Sequence, residues 1–284
     1  MHPGNTGQSD MAITLDAAQA AALAQDRLSG TSRTNVIDRW IYVFTAASFI
    51  AIVLAGFVPD SFELVAAVQA GQRPPLPLVL HFHAVLMGSF LLLLLAQTVL
   101  VATGRCAWHM QLGLASAVLV PAIVLAGFIL VPTIYHQAWS MAQAAPLPAR
   151  HRFQIILGNL DDIFLLQLRA GVLFALLMWI ALRARKQDSG LHKRLILLAT
   201  APLLAAAIDR MEWLPTTMPH NTLGLDAYTL LTIAPMFIWD VARNHRVHRA
   251  YVIFAAAFFP VSAAVFALWN TPAWHATARQ IMGV

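Results

Sequence analysis

Residues 77–101 read PLVLHFHAVLMGSFLLLLLAQTVLV, a run of 25 residues that contains two histidines but no Asp, Glu, Lys or Arg. A helix needs about 20 apolar residues to cross the hydrocarbon core of a bilayer. A run of this length with no charge is typical of a membrane span rather than of a helix in a water-soluble core. This stretch therefore predicts a transmembrane helix.

Six further apolar segments have the same character. Together the seven cover residues 40–58, 77–101, 111–134, 161–183, 194–213, 226–243 and 250–269. The chain has 284 residues, 59% hydrophobic and 11% charged, with a mean hydropathy of +0.68. A soluble domain carries about 25% charged residues, so a water-soluble core is excluded. We predict an all-α fold, a polytopic membrane helix bundle of about seven transmembrane helices, or six if one segment is re-entrant.

Lysine and arginine residues concentrate on one side of the predicted bundle, which carries the N-terminal tail and the loops near 102–110, 184–193 and 244–249. Cytoplasmic loops of membrane proteins carry an excess of Lys and Arg. The N-terminus is therefore predicted to be cytoplasmic, in a bacterial-type inner (cytoplasmic) membrane. The net charge of +5 then reflects topology, and we expect no nucleic-acid partner.

This topology divides the chain into a polar cytoplasmic tail (1–39), the bundle (40–269) and a short external tail (270–284). Within the first part, Asp10 is predicted to cap a short Ala-rich helix that ends near Leu28. The connection at 135–160 is rich in Ala, Pro and Gln and is predicted to lie along the membrane interface. The single cysteine, Cys106, excludes a disulfide framework and a Cys-rich metal site.

Ionisable residues inside the predicted spans are candidates for function, because an unpaired charge in the hydrocarbon costs about 3 kcal/mol. Arg169 lies two turns inside the fourth span, on the same helical face as Asp162. Asp209 lies at a similar depth in the fifth span and is an expected partner. These three are the candidate catalytic or relay residues, although a structural ion pair between helices explains them equally well. Asp240 is predicted to pair with Arg243 at i+3.

Histidines stand immediately before three spans that leave the cytoplasmic side. They are His109, His192 and His248, with His245 as a fourth candidate. Equivalent positions before three helices predict that the imidazoles could meet as a ligand set on the cytoplasmic face. The alternative is that they are ordinary polar residues at the membrane interface.

A second set of polar residues lies around the external rim. His81 and His83 begin the second span, and two residues apart in a helix they point about 200° away from each other. One of them can therefore bind a ligand while the other caps the helix. The candidate metal ligands are His81, His83, His136, Asp161, Asp162, Asp209 and Glu212. Imidazole and carboxylate groups suit Fe, Cu or Zn, and the same residues also fit a hydrated vestibule.

The stretch from His83 to Met87, the following turn at Gly104-Arg105 and His109 at the next helix start resemble the cytochrome b561-type transmembrane haem proteins over residues 77–134. The resemblance implies two b haems held by pairs of axial histidines. It implies His83 and His109 as the first ligands, with His151 and His192 matched by order. The pairs would be His83 with His151 on the external side and His109 with His192 on the cytoplasmic side.

The chain also resembles uncharacterised bacterial multi-pass membrane proteins. The shared patterns are H-x-x-L-G, which begins at His109, and H-K-R-L-x-L-L-A-T, which begins at His192. This second resemblance implies no activity.

Three functions fit these residues. The first is a membrane redox protein with a histidine-ligated haem or metal, which passes electrons to or from a quinone or another lipid-soluble partner. The second is a non-haem metal enzyme that acts on a lipid-soluble substrate at the external histidines and carboxylates. The third is a proton- or ion-coupled transporter that uses Arg169, Asp162 and Asp209. The HExxH, Walker A and GxSxG patterns are absent from the sequence, which argues against the enzyme classes that they mark.

Overall fold

The computed structural model describes residues 26–28 and 35–284. Seven helices are long and apolar enough to cross a membrane, which confirms the predicted all-α membrane bundle. No strand occurs among the described residues. The predicted cap at Asp10 and almost all of the Ala-rich helix lie outside this part of the chain.

The helices follow the chain order without long interruptions. They are α1 (Val36–Gln69), α2 (Leu78–Ala102), α3 (Cys106–Gly113), α4 (Ser116–Ala144), α5 (Leu147–Ala184), α6 (Ser189–Thr200), α7 (Ala205–Ile208), α8 (Leu223–Asn244), α9 (Arg249–Leu268) and α10 (Pro272–Met282). A 3-10 turn, Ala201–Leu204, joins α6 and α7 into one span. The end of the bundle at which α1 begins is called the inner face, and the opposite end the outer face. The inner face is the one predicted to be cytoplasmic.

The span formed by α6 and α7 (Ser189–Ile208) is the centre of the bundle. Its apolar stretch is 72% buried, whereas the values for the other spans lie between 17% and 39%. α6 packs on α5 and α9, and α7 packs on α1 and α8. Pro202 lies in the 3-10 turn, where its missing backbone N–H is tolerated. Gly56 permits the close approach of α1 to α7, because a Cβ at this position would clash with the backbone of Ala207.

Three helices are longer than a bilayer requires. α1, α4 and α5 contain 34, 29 and 38 residues. At 1.5 Å per residue they measure about 51, 44 and 57 Å, against a hydrocarbon thickness of about 30 Å. Residues 135–160, predicted as a connection that lies along the interface, instead continue α4 and α5 in helical form. The turn between these helices is confined to Ala145 and Pro146, so it leaves no room for a separate interfacial segment.

The C-terminal segment is a helix that packs on the outer face. The Thr271 side chain accepts a hydrogen bond from the N–H of Trp274 at 3.2 Å and begins α10. Trp274, Ala278 and Met282 recur every four residues, share one face and are buried in a cluster with Tyr135. Residues 270–284, predicted as a short tail, therefore form part of the packed bundle.

A buried ion network fastens the inner face. Arg194 of α6 is fully buried and donates to Asp240 of α8 (Nη2 to Oδ1, 2.8 Å) and to Asp26 (Nη1 to Oδ2, 2.7 Å). Tyr251 of α9 donates to the same Asp240 at 2.9 Å. The predicted pair of Asp240 with Arg243 is wrong. Arg243 projects from α8 towards α1 and binds Asp38 there at 2.8 Å.

The orientation of the bundle is testable with the natural cysteine. Cys106 is the first residue of α3, lies at the inner face and is exposed. If this face is cytoplasmic, a membrane-impermeant maleimide will label Cys106 only after spheroplasts are permeabilised. The control is Cys106→Ser with Gln72→Cys, which moves the thiol to an exposed turn on the outer face and should be labelled in intact spheroplasts. Labelling in the opposite pattern would reverse the predicted topology.

Candidate functional site

The outer half of the bundle contains a buried arginine. Arg169 of α5 is 2% exposed, and its Nη1 donates to a carboxylate oxygen of Asp226 on α8 and to Ser262 Oγ on α9 at 3.1 Å. The guanidinium also lies 5.6 Å from the centre of the Phe258 ring. Three helices therefore meet at one charged side chain. Arg169, Asp226, Ser262 and Thr229, which lies three residues after Asp226 on the buried face of α8, are called the arginine centre.

The sequence of α8 explains why several polar groups belong to this region. Thr222, which begins the helix, Asp226 and Thr229 follow at i, i+4 and i+7, so they share one face. All three are buried. A stripe of polar residues on the buried face of a membrane helix must find partners within the protein or bind water or a ligand.

The polar groups of the arginine centre are not all satisfied. Among the described residues, Arg169 Nε and the hydroxyls of Thr222 and Thr229 have no hydrogen-bond partner. Leaving a buried polar group unpaired costs about 1–3 kcal/mol. Such groups in a native protein indicate a bound water or a ligand. The centre therefore has unused hydrogen-bonding capacity inside the membrane-spanning region.

The expected partners of Arg169 have other roles. Asp162 is buried on the same face of α5, seven residues or about 10 Å from Arg169, and accepts from the N–H of Asn270 at 2.8 Å. Asp209 follows the last residue of α7 at the surface. The partner of Arg169 is Asp226, which lies 57 positions away in the sequence. The prediction of Asp209 as the partner is therefore corrected, whereas Asp162 lies on the face of α5 on which it was expected.

A buried carboxylate at the outer face fastens α10 to the bundle. Asp161 accepts from Tyr135 Oη at 2.6 Å, contacts His275 Nδ1 at 3.1 Å and accepts from Arg279 Nε at 3.3 Å. The indole of Trp274 donates to the Asp161 carbonyl at 2.7 Å. These five residues are called the Asp161 cluster. The sequence missed the roles of His275 and Arg279, because nothing local in the C-terminal segment indicates a partner on α5.

The predicted metal ligands do not converge. His81, His136 and Glu212 are exposed, and the first of these lines a shallow cleft beside the end of α1. The carboxylates of Asp161 and Asp162 are engaged by other residues. The part of the chain that the structure describes contains no group of three or more His, Cys, Asp or Glu side chains placed to hold a metal ion.

The outer pair of haem ligands implied by the b561 resemblance does not fit one haem. His83 is half-buried beside Gly127 of α4, and its Nδ1 has no partner among the described residues. Because α4 and α5 are joined at residues 145–146, Gly127 lies at the height of residue 164 of α5. His151 is exposed about 13 residues, or about 20 Å, nearer the outer end of α5. This separation is too large for both histidines to bind one iron.

The two histidines of the inner pair lie at the same end of the bundle, His109 in α3 and His192 in the first turn of α6. His192 Nδ1 donates to the Ala181 carbonyl at 2.8 Å, which leaves the Nε2 lone pair free. With the Gln97 amide oriented so that its oxygen accepts the Gly113 N–H at 2.9 Å, its NH2 group donates to Nδ1 of His109, and this orientation assigns the proton of that ring to Nε2. As hydrogen-bonded here, His192 therefore presents a ligand lone pair and His109 an N–H.

Burial lowers the pKa of His109 and favours its neutral form. The third histidine of the predicted inner set has another role. His248 begins α9, and its Nδ1 accepts the Ala250 N–H at 3.1 Å. Burial also lowers the pKa of His248, which keeps that nitrogen available as an acceptor. His245, the fourth candidate, ends α8 in a left-handed conformation.

The geometry of α8 bears on the transport hypothesis. Asp226 and Asp240 lie on the same face of this helix, 14 residues or about 21 Å apart. Ile233 and Met236 lie between them and are buried. Beyond Thr229 the buried face of α8 is therefore apolar as far as Asp240 and does not form a continuous polar path.

In comparisons with known proteins, no family model, no curated protein and no solved structure matches this chain. The resemblance to cytochrome b561-type proteins therefore stays a prediction. The multi-pass membrane fold is shown by the helices themselves.

The energetic importance of the buried ion pair can be measured directly. Arg169→Ala should lower the free energy of unfolding by about 3–5 kcal/mol, because it leaves the Asp226 carboxylate buried and unpaired. The double variant Arg169→Leu/Asp226→Leu should recover much of this loss. The measurement is the unfolding midpoint of the purified protein in detergent.

Arg210→Ala is the control, because the Arg210–Asp60 pair is exposed (36% and 32%) and should contribute less than about 1 kcal/mol. Wild-type stability in Arg169→Ala would contradict the importance assigned to this pair.

Proposed function

We propose that this chain is an integral membrane protein that binds the polar end of a lipid-soluble molecule at the arginine centre. One observation carries the proposal: Arg169 is almost fully buried, yet its Nε and the neighbouring Thr229 hydroxyl have no partner among the described residues. Ionisable residues within membrane spans are commonly functional, because their burial is expensive. Unused donors beside such a residue supply the recognition that a ligand needs.

A comparison within the protein supports this interpretation. Arg194 is as deeply buried as Arg169, but its Nε, Nη1 and Nη2 all donate to Asp240, Asp26 or the Gly190 carbonyl. Such an arginine is satisfied by the fold alone. The hydrogen bonds of Arg169 to described residues run through Nη1, and its Nε has none. This difference supports a structural role for Arg194 and the proposed binding role for Arg169.

The surroundings of the centre favour a molecule that arrives from the bilayer. On α5, Asp161 lies about two turns nearer the outer face than Arg169, and α10 is hydrogen-bonded to it there. α8 packs less closely on α9 than on α1, and Arg169 extends between α8 and α9 to contact Asp226 and Ser262. A molecule that enters between these two helices could place its polar end at Arg169 and leave its apolar part among lipid tails. A quinone or a fatty acid has this shape.

The proposal is tested by native mass spectrometry of gently solubilised protein. Wild type should carry a lipid-soluble molecule that is lost in Arg169→Gln/Asp226→Asn, which keeps the polar groups but removes both charges. The matched control makes the same changes at the exposed pair, Arg210→Gln/Asp60→Asn, and should retain the molecule. An empty wild-type protein, or equal occupancy in all three, would contradict the proposal.

A second candidate function is electron transfer at a haem or other metal centre on the inner face. The placement of His109 and His192 at the same face of the bundle favours it, because these are the residues that the b561 resemblance pairs. His192 would bind through Nε2, with its ring oriented by the Ala181 carbonyl. A haem bound there would supply one-electron chemistry. Ligation by both histidines requires the Gln97 amide to turn, so that Nδ1 of His109 donates to it.

Visible absorption of the purified protein tests this second function. A b-type haem should give a Soret band and sharpened α and β bands after reduction with dithionite, and His192→Ala should abolish them. His151→Ala is the control and should leave the spectrum unchanged, since His151 is exposed and lies near the outer end of α5. A spectrum without visible bands from protein expressed with abundant haem would exclude the haem function.

A further inference from the structure

We infer that the arginine centre selects an uncharged carbonyl group and discriminates against a carboxylate or phosphate. This inference rests on the proposed function and names the chemistry of the group that is bound. It follows from the charge balance of the centre and from the hydrogen-bonding atoms that the protein leaves unused.

The charge of the arginine is already neutralised. Asp226 lies in direct contact with the Arg169 guanidinium, and the two side chains are 12% and 1% exposed. An anion bound here would add a second negative charge beside Asp226, and the buried Asp162 carboxylate lies only two turns away on α5. Burying an uncompensated charge is costly in a medium of low dielectric constant. A neutral group avoids this cost.

The unused atoms match a carbonyl oxygen. The Arg169 Nε can only donate, and the Thr229 hydroxyl can donate while it also accepts. A carbonyl oxygen has two lone pairs and can accept from a donor of either kind. Ser262 Oγ accepts from Arg169 Nη1 at 3.1 Å and is the polar group that α9 contributes to the centre. Ketones and quinones with an apolar tail belong to this class.

The test compares two probes of equal chain length, 2-undecanone and undecanoate, on the full chain in detergent. We expect the ketone to raise the melting temperature of the wild-type protein in a saturable manner and undecanoate to have a much smaller effect. Thr229→Val keeps the shape of the side chain and removes the unpaired hydroxyl. It should weaken ketone affinity roughly 2- to 10-fold, as expected for one neutral hydrogen bond.

The same variant separates a binding role from a structural one. Without a probe, Thr229→Val should be at least as stable as the wild type, because a buried hydroxyl without a partner is removed. The control is Thr232→Val on the same helix, whose hydroxyl donates to the Thr229 carbonyl at 2.7 Å. It should leave ketone affinity unchanged.

Stronger or equal stabilisation by undecanoate overturns the inference and leaves the proposed function standing. Unchanged ketone affinity in Thr229→Val also overturns it. If neither probe binds and the wild-type protein carries no lipid-soluble molecule, the proposed function fails, and this inference fails with it.

Discussion

The structure depends on the burial of two arginines in a medium that offers them no water. Arg194 reaches across the inner half of the bundle from the central span and joins Asp240 to Asp26. Because an unpaired charge in the hydrocarbon is expensive, the three elements that carry these residues must stay together. The fully buried Arg194 thus holds the elements of the inner half of the bundle together.

The outer half is built on the same kind of contact but is left incomplete. Arg169 joins α5 to α8 and α9, as Arg194 joins α6 to α8 and to Asp26. The difference lies in the donors, because Arg169 Nε has no partner among the described residues. If Arg169 served only to hold helices together, the protein would be more stable with a hydrogen-bond partner for Arg169 Nε. Retaining it at a cost is the behaviour expected of a binding site.

The sequence alone predicted the membrane-spanning helices, but it did not predict which charged side chains pair between them. Residues 77–101 predicted a span because hydropathy is a local property, and α2 (Leu78–Ala102) agrees with it closely. The Arg169–Asp226 pair joins residues 57 positions apart, so no local pattern could show it. The expected Asp240–Arg243 contact failed for the related reason that proximity along a helix does not decide which neighbouring helix a side chain meets.

The histidines show the same distinction. Their positions predict that His109 and His192 could meet, since both precede helices that leave the same face, and the structure places both at the inner face. Their chemistry depends on Gln97 and the Ala181 carbonyl, which set the protonated nitrogen of each ring. Position before a span identifies which imidazoles can meet. The hydrogen bonds of the folded protein decide whether they present lone pairs or protons.

The arrangement of the outer face limits how the arginine centre can be reached. The Asp161 carboxylate is contacted from α4 by Tyr135 and from α10 by His275 and Arg279. Opening this face would require several hydrogen bonds to a buried carboxylate to break together, which is costly. Separating α8 from α9 breaks fewer close contacts and exposes apolar surface to lipid tails rather than to water. In a bilayer that exposure carries little hydrophobic penalty. Entry from the lipid between α8 and α9 therefore costs less free energy than opening the outer face.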